Sequence, residues 1–140
     1  MNVEISIDVE GLAKSLKKTQ EEIANQIPKA LMQTAGLGTQ IILDRTAKGV
    51  GINGKFQAYK PKYAKFKSLK GHPSTVNLMF TGKMLASIQQ RLINKNAAQI
   101  YFGRATEAKK AAFNNERRPF FGFNNNEQQR LSKFFVGRFK

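Results

Sequence analysis

Val3, Ile5, Ile7 and Val9 alternate with Asn2, Glu4, Ser6 and Asp8. A period of two predicts a half-buried strand over residues 2–9, ended by Gly11. Leu12, Leu16, Ile23 and Ile27 then fall on one helical face, with Lys14, Lys17, Lys18, Glu21 and Glu22 on the other. Pro28 fits either the first turn of a second helix or a kink in one long helix. Ala30, Leu31, Thr34, Ala35, Gly38, Ile41, Ile42 and Arg45 carry a helical stripe to about Lys48. Glycine inside a helix costs up to ~1 kcal/mol relative to alanine. The small residues Ala35, Gly36 and Gly38 are therefore expected to let another backbone approach closely.

From Gly49 to Ser74 the pattern changes. Glycines at 49, 51, 54 and 71 and prolines at 61 and 73 surround Phe56, Tyr59, Tyr63 and Phe66, which are interleaved with lysines. This reads as a long, partly ordered loop or arm with a short helix at Pro61–Ser68. Val76–Phe80 is a short apolar segment, after which Thr81 can cap a helix over Gly82–Ser87. Ile88–Ile93 and Gln99–Phe102 are strand candidates around an Asn94-Lys95-Asn96 turn. Ala105–Phe113 is a helix candidate broken by Asn114-Asn115. Asn124-Asn125-Asn126 can cap a last helix from about Glu127, which groups Leu131, Phe134 and Phe135. The expected fold is a small single α+β domain over residues 1–140. It has an N-terminal strand and long helices (1–48) packed on a short antiparallel sheet, a basic aromatic arm (49–75), and a strand and helix core with a C-terminal helix (76–140).

Charge modifies this picture more than size does. The 140 residues carry a formal net charge of +15. Five of the nine acids (Glu4, Asp8, Glu10, Glu21, Glu22) lie in residues 1–22, and none lies between Arg45 and Thr106. Self-repulsion on this scale disfavours an isolated compact chain and is relieved by a polyanion or an acidic protein surface. There is no cysteine, hence no disulfide or thiolate metal site. The N-terminus lacks a signal-peptide layout and no apolar run reaches membrane-spanning length, so a soluble, cytoplasmically made protein is expected.

Catalytic groups are sparse. His72 is the lone histidine, beside Gly71 and Pro73, and a lone loop histidine is usually solvated. The two aspartates have no carboxylate partner in a catalytic spacing, and adjacent Glu21 and Glu22 do not share a helical face. Gly49–Lys55 lacks the spacing of a nucleotide-binding loop and has no Ser or Thr after the lysine. No enzyme, cofactor, metal or small-molecule substrate is expected. Phe56–Lys67 admits two readings. Its lysines can neutralise phosphates while its rings stack on bases. Alternatively the rings are buried anchors and the lysines the solvated side. The three- and four-residue spacing of Phe56, Tyr59, Tyr63 and Phe66 favours the second. Arg117–Phe123 reads as a short, turn-containing strand whose phenylalanines go either to the core or to an interface. If extended, it puts Phe121 and Phe123 on one face and Phe120 on the other.

Three segments in order resemble a known family. They are Phe56–Lys67, then Val76-Asn77-Leu78-Met79-Phe80-Thr81-Gly82-Lys83-Met84-Leu85-Ala86-Ser87-Ile88, then Arg118-Pro119-Phe120-Phe121-Gly122-Phe123 with Glu127 and Gln128 behind. This order is similar to the virion-morphogenesis and tail-completion proteins of contractile-tailed and Mu-like phages, the head–tail joining group. The chain departs from it at Ala111–Glu116, where many relatives carry a histidine-containing segment. The resemblance implies a non-enzymatic virion protein that completes a tail or joins it to a head. Its expected partners are other copies of itself in a ring and neighbouring tail, neck or connector proteins, close to DNA and away from membranes. It is expected in the virion's tail or neck region and, during assembly, in the host cytoplasm. The expected contact residues are Phe56, Tyr59, Lys60, Lys62, Tyr63, Lys65 and Phe66 in the arm, with Arg117, Arg118, Pro119, Phe120, Phe121 and Phe123 behind it. The alternative is a basic nucleic-acid-binding accessory protein.

Overall fold

In the computed structural model, which describes residues 1–72, 76–78 and 82–139, the N-terminal alternation forms strand β1 (Asn2–Ser6). It is shorter than the pattern predicts because its partner strand ends first. Ser6 pairs with Ala97, and the last bond runs from Ile7 N–H to Asn96 O, 3.2 Å. Val9 instead opens helix α1 (Val9–Leu16). The expected helix through residue 27 is interrupted. Lys17 ends α1 in the left-handed conformation (φ 56°). Thr19 then starts α2 (Gln20–Ala24) with a capping box, its hydroxyl accepting from Glu22 N–H while Glu22 accepts from Thr19 N–H. The Thr-x-x-Glu spacing is the local signal for that restart. Helix α3 (Ile27–Ala47) begins anew with Pro28 in its first turn, which selects the second-helix alternative.

The sheet is β4 (Ile88–Asn94) and β5 (Ala97–Phe102) joined by the Asn94–Asn96 turn, with β1 on the other side of β5. All pairs are antiparallel, with Val3 opposite Ile100 and Gln90 opposite Ile100 from the other side. One face is apolar. Ala98, Ile100 and Phe102 are buried there. The opposite face is polar, with Arg91 bonded to Gln99 (2.8 Å) and stacked 4.0 Å from the Tyr101 ring centre. One wet face and one dry face are the normal state of an antiparallel sheet. Helix α3 crosses β4 and β5 on the dry side, burying Ile27, Leu31, Ala35 and Ile42. Gln90 Nε2 donates to Thr39 Oγ1 at 2.8 Å across that seam.

Between these lie the short pair β2 (Val50–Gly51) and β3 (Gly54–Lys55), α4 (Pro61–Leu69) and α5 (Lys83–Ala86). Gly82, with φ 80°, caps α5. Thr81, expected to cap it, lies outside the described residues, as does part of the Val76–Phe80 segment. Helix α6 (Ala105–Arg117) runs past Asn114-Asn115, contrary to the expected break. Asn114 bonds back to Lys110 O (2.8 Å), and the Asn115 side chain is used beyond the helix end. Helix α7 (Asn125–Gly137) is capped by Asn124 as anticipated and packs on α3. The whole is a small α+β fold of helices on a short antiparallel sheet, as the pattern predicts.

The two glycines of α3 differ. A Cβ at Gly38 would lie 2.8 Å from Phe123 Cζ and 3.2 Å from Ile100 Cδ1, whereas nothing lies within 4 Å of one at Gly36. The close approach is thus by side chains, not by a second backbone. Gly36→Ala is expected to raise unfolding free energy by about 0.5–1 kcal/mol through helix propensity. Gly38→Ala is expected to fall short of that gain, because the Phe123 ring must move. Denaturant unfolding of both variants measures the difference.

Candidate functional site

The Arg118–Phe123 block is held by Arg45 near the end of α3. Arg45 Nε donates to Glu127 Oε2 at 2.9 Å and Nη1 to Phe120 O at 2.9 Å, while Nη2 donates to Gly122 O. The side chains of Arg45 and Glu127 are 10% and 16% exposed. Glu127 serves twice, because its Oε1 accepts from Asn124 N–H (3.1 Å) to close the capping box of α7. From the other side Asn115 Oδ1 accepts from both Phe120 N–H and Phe121 N–H at 3.0 Å. These bonds bend the block into turns, so the expected strand and its two-faced arrangement of phenylalanines do not form. Phe120 and Phe121 are both buried, with ring centres 6.4 Å and 4.7 Å from that of Phe102. They are core residues and present no contact surface. Phe123 is half-buried against Gly38.

The arm is tied to this block. Ile52 N–H donates to Pro119 O at 2.9 Å, beside Gly51, where any side chain would collide with Pro119 O and the Phe56 ring. Arg118 donates to Gln57 O (2.8 Å) and Ala58 O (3.2 Å), and its guanidinium lies 4.8 Å from the Tyr59 ring centre. Phe56 and Tyr59 therefore precede the helix that was expected to align them with Tyr63 and Phe66. The Tyr59, Tyr63 and Phe66 rings still touch in series, at 4.8 Å and 6.3 Å.

The expected division into buried rings and solvated lysines is partly reversed. Lys60, Lys62 and Lys65 are exposed, but so are Tyr63 and Phe66. Lys67 is fully buried; its Nζ donates to Asn77 Oδ1 at 2.7 Å and sits 4.9 Å from the Tyr59 ring centre. Lys67 comes four residues after Tyr63, and the turn of α4 carries it under the arm. Burial lowers the Lys67 ammonium pKa from its ordinary value. Burial also raises that of the Tyr59 phenol, with Tyr63 adding to the shift, while the Leu78 N–H bonded to its oxygen (3.2 Å) and Arg118 oppose it.

Where the arm meets α5 and α6 a groove of about 450 Å³ opens. Its apolar lining comes from Tyr59, Tyr63, Leu78, Met84 and Phe113, and its cations are Lys60, Lys110, Arg117 and Arg118. Phe113 is 63% exposed, and Arg117 lies 5.5 Å from its ring centre. Glu107, also in the lining, is buried; Oε1 accepts from Lys110 Nζ at 3.3 Å, and Oε2 has no donor among the described residues. The groove thus gathers Tyr59, Lys60, Tyr63, Arg117 and Arg118 of the anticipated contact residues. It leaves Lys62 and Lys65 elsewhere on the arm surface and buries Phe120 and Phe121. Glu107, Lys110, Phe113 and Met84 were not anticipated. Phe113 carries a readable signal, since it lies off the α6 face that holds Glu107 and Ala111, but which face is buried is decided by packing.

No helix among the described residues is long and apolar enough to cross a membrane, and no cluster of His, Asp or Glu among them is suited to a metal ion. No protein-family model, curated protein or solved structure matches the chain.

Removing one partner of a buried, hydrogen-bonded ion pair costs about 3–5 kcal/mol. Arg45→Met is expected to lose that much in denaturant unfolding. Arg45→Lys is expected to lose part of it, because an ammonium cannot reproduce the fork. Tyr59 supplies a pH test. Its folded-state pKa is raised, so its contribution to stability is complete below the ordinary phenol value of 10.0 and is lost as pH rises through the shifted value. Tyr59→Phe is expected to remove a tyrosinate absorbance component that titrates above the ordinary phenol range, and with it that part of the alkaline loss of stability.

Proposed function

We propose that this chain is a structural protein of a phage-type particle that completes a tail or joins tail to head by protein–protein contact, as a ring of copies. The motif order from Phe56 to Gln128 supports the reading. The observation that carries it is convergence. The arm and the Arg118–Phe123 block, about sixty positions apart in sequence, are joined by the Arg118 bonds to Gln57 O and Ala58 O. Together they border an exposed groove that is apolar in its walls and cationic at its edge. A surface of that kind suits recognition of another macromolecule better than turnover of a small one, since aromatic residues and arginine are the usual interface anchors.

A closed ring needs one patch to meet a different patch on the next copy. A role in binding nucleic acid is the second reading, and it draws on the acid-free stretch from Arg45 to Thr106 and on the exposed Tyr63 and Phe66 among the arm's lysines.

Particles assembled with Lys60→Glu, Lys62→Glu and Lys65→Glu together test the assembly role. These side chains are exposed and leave the core untouched. Electron microscopy is expected to show separate heads and tails in place of joined particles. Joined particles at the normal yield would mean that the arm surface has no part in assembly.

A further inference from the structure

We infer that the groove between the arm and α6 docks an acidic segment of a different protein, one that inserts an apolar side chain between Tyr63 and Phe113 and sets carboxylates against Lys110 and Arg117. The inference rests on reading this surface as a protein interface and names the chemistry of what occupies it.

Charge decides first. The charged side chains in the groove lining are four cations, Lys60, Lys110, Arg117 and Arg118, and one acid, Glu107, which is buried and already accepts from Lys110. An occupant with carboxylates at its edge is drawn in, and a basic one is turned away. A second copy carries the same +15, so crowding copies through their basic faces adds repulsion unless another chain neutralises it. This points to an acidic partner of another kind at this face, while ring contacts use other faces.

Apolar exposure decides second. Phe113 is 63% exposed and Tyr63 39% exposed on opposite walls. Exposed apolar groups grouped in this way and rimmed by charge mark a contact site. A volume of about 450 Å³ lies within the range of pockets that enclose a small ligand or an anchoring side chain.

Ring geometry separates a protein from a nucleic acid. Bases bind aromatic platforms by stacking on their faces. Here Arg118 lies over Tyr59 and Arg117 over Phe113, at 4.8 Å and 5.5 Å from the ring centres. A base stacking on the same faces of Tyr59 and Phe113 would have to displace these guanidiniums. An aliphatic or aromatic side chain entering edge-on between the walls would not, and the guanidiniums stay in place to meet its carboxylates.

A synthetic amphipathic peptide with Leu and Phe along one helical face and Glu along the other is the probe, titrated into the full chain by calorimetry. Binding is expected, and is expected to weaken on the order of tenfold or more in Phe113→Ala and in Arg117→Glu. Phe113 and Arg117 are exposed and neither bonds a buried group, so circular dichroism and unfolding should stay as in the parent. A peptide with Ser in place of Leu and Phe, and one with Lys in place of Glu, are expected to bind at least tenfold more weakly. Equal binding of the Ser peptide would overturn the inference in favour of bare charge attraction. So would an oligothymidylate that binds more tightly than the peptide and loses affinity in Phe113→Ala, which would make the groove a nucleic-acid site. Self-association of the chain, seen by sedimentation and abolished by Phe113→Ala, would overturn it in favour of a second copy. Peptide binding that holds while the arm-lysine particles join normally would sink the assembly role alone. Failed joining with no peptide binding would sink this inference alone.

Discussion

One guanidinium holds three separate pieces of this fold in place. Arg45 stands near the C-terminal end of a 21-residue helix and reaches two backbone carbonyls of the 118–123 turns and the carboxylate that caps the last helix. Taking a charge out of water is costly, and only good geometry with several charge-assisted bonds offsets it. Here each of the three donating nitrogens meets an oxygen. The acceptors come from positions 120, 122 and 127, so the bonds can form only when α3, the turn and α7 have all arrived. What Arg45 contributes beyond stability is direction: the turn it fixes sends Phe120 and Phe121 into the core and turns Pro119 and Arg118 outward, toward the arm.

The arm is then ordered in a sequence of small contacts. Pro119 O takes the Ile52 N–H, Gly51 leaves room for that approach, and Arg118 takes the carbonyls of Gln57 and Ala58. Tyr59 follows, stacked under Arg118 and bonded through its oxygen to the Leu78 N–H. Lys67 is buried beneath the same ring. A segment rich in glycine and lysine has little apolar area with which to order itself. It is ordered here by anchoring to a rigid neighbour, and the rings left outside form the wall of a groove.

The charge acquires a shape from this. Three ion pairs occur among the described residues, and that of Arg45 is the one with both partners largely buried. Several cations among the described residues rest on aromatic faces instead. Cations over rings form a positive edge around an apolar floor, whereas solvated lysines would form a diffuse field. A partner is selected by both properties at once.

Periodicity by itself determined the strand at Val3–Ile5, the helical stripe from Ala30 to Ile42, the hairpin about Asn94–Asn96 and the cap of the last helix. Each depends on neighbours within a few positions, or on which face is apolar. The same local rules placed a short helix at Pro61 and a small α+β fold overall. They failed where a distant group outbids the local preference. Asn114-Asn115 does not end α6, because both amides find partners, one of them on Phe120 and Phe121. Arg117–Phe123 is not a strand, because Arg45 and Asn115 take its backbone groups. Lys67 is buried and Phe66 exposed, because the phase of α4 is set by what Tyr59 and Asn77 offer it. Composition determined that the chain is strongly basic and poor in clustered acids. Only the tertiary structure decided that four of its cations, three of its rings and two motifs remote in sequence meet at one groove, since that meeting depends on bonds between residues about sixty and eighty positions apart.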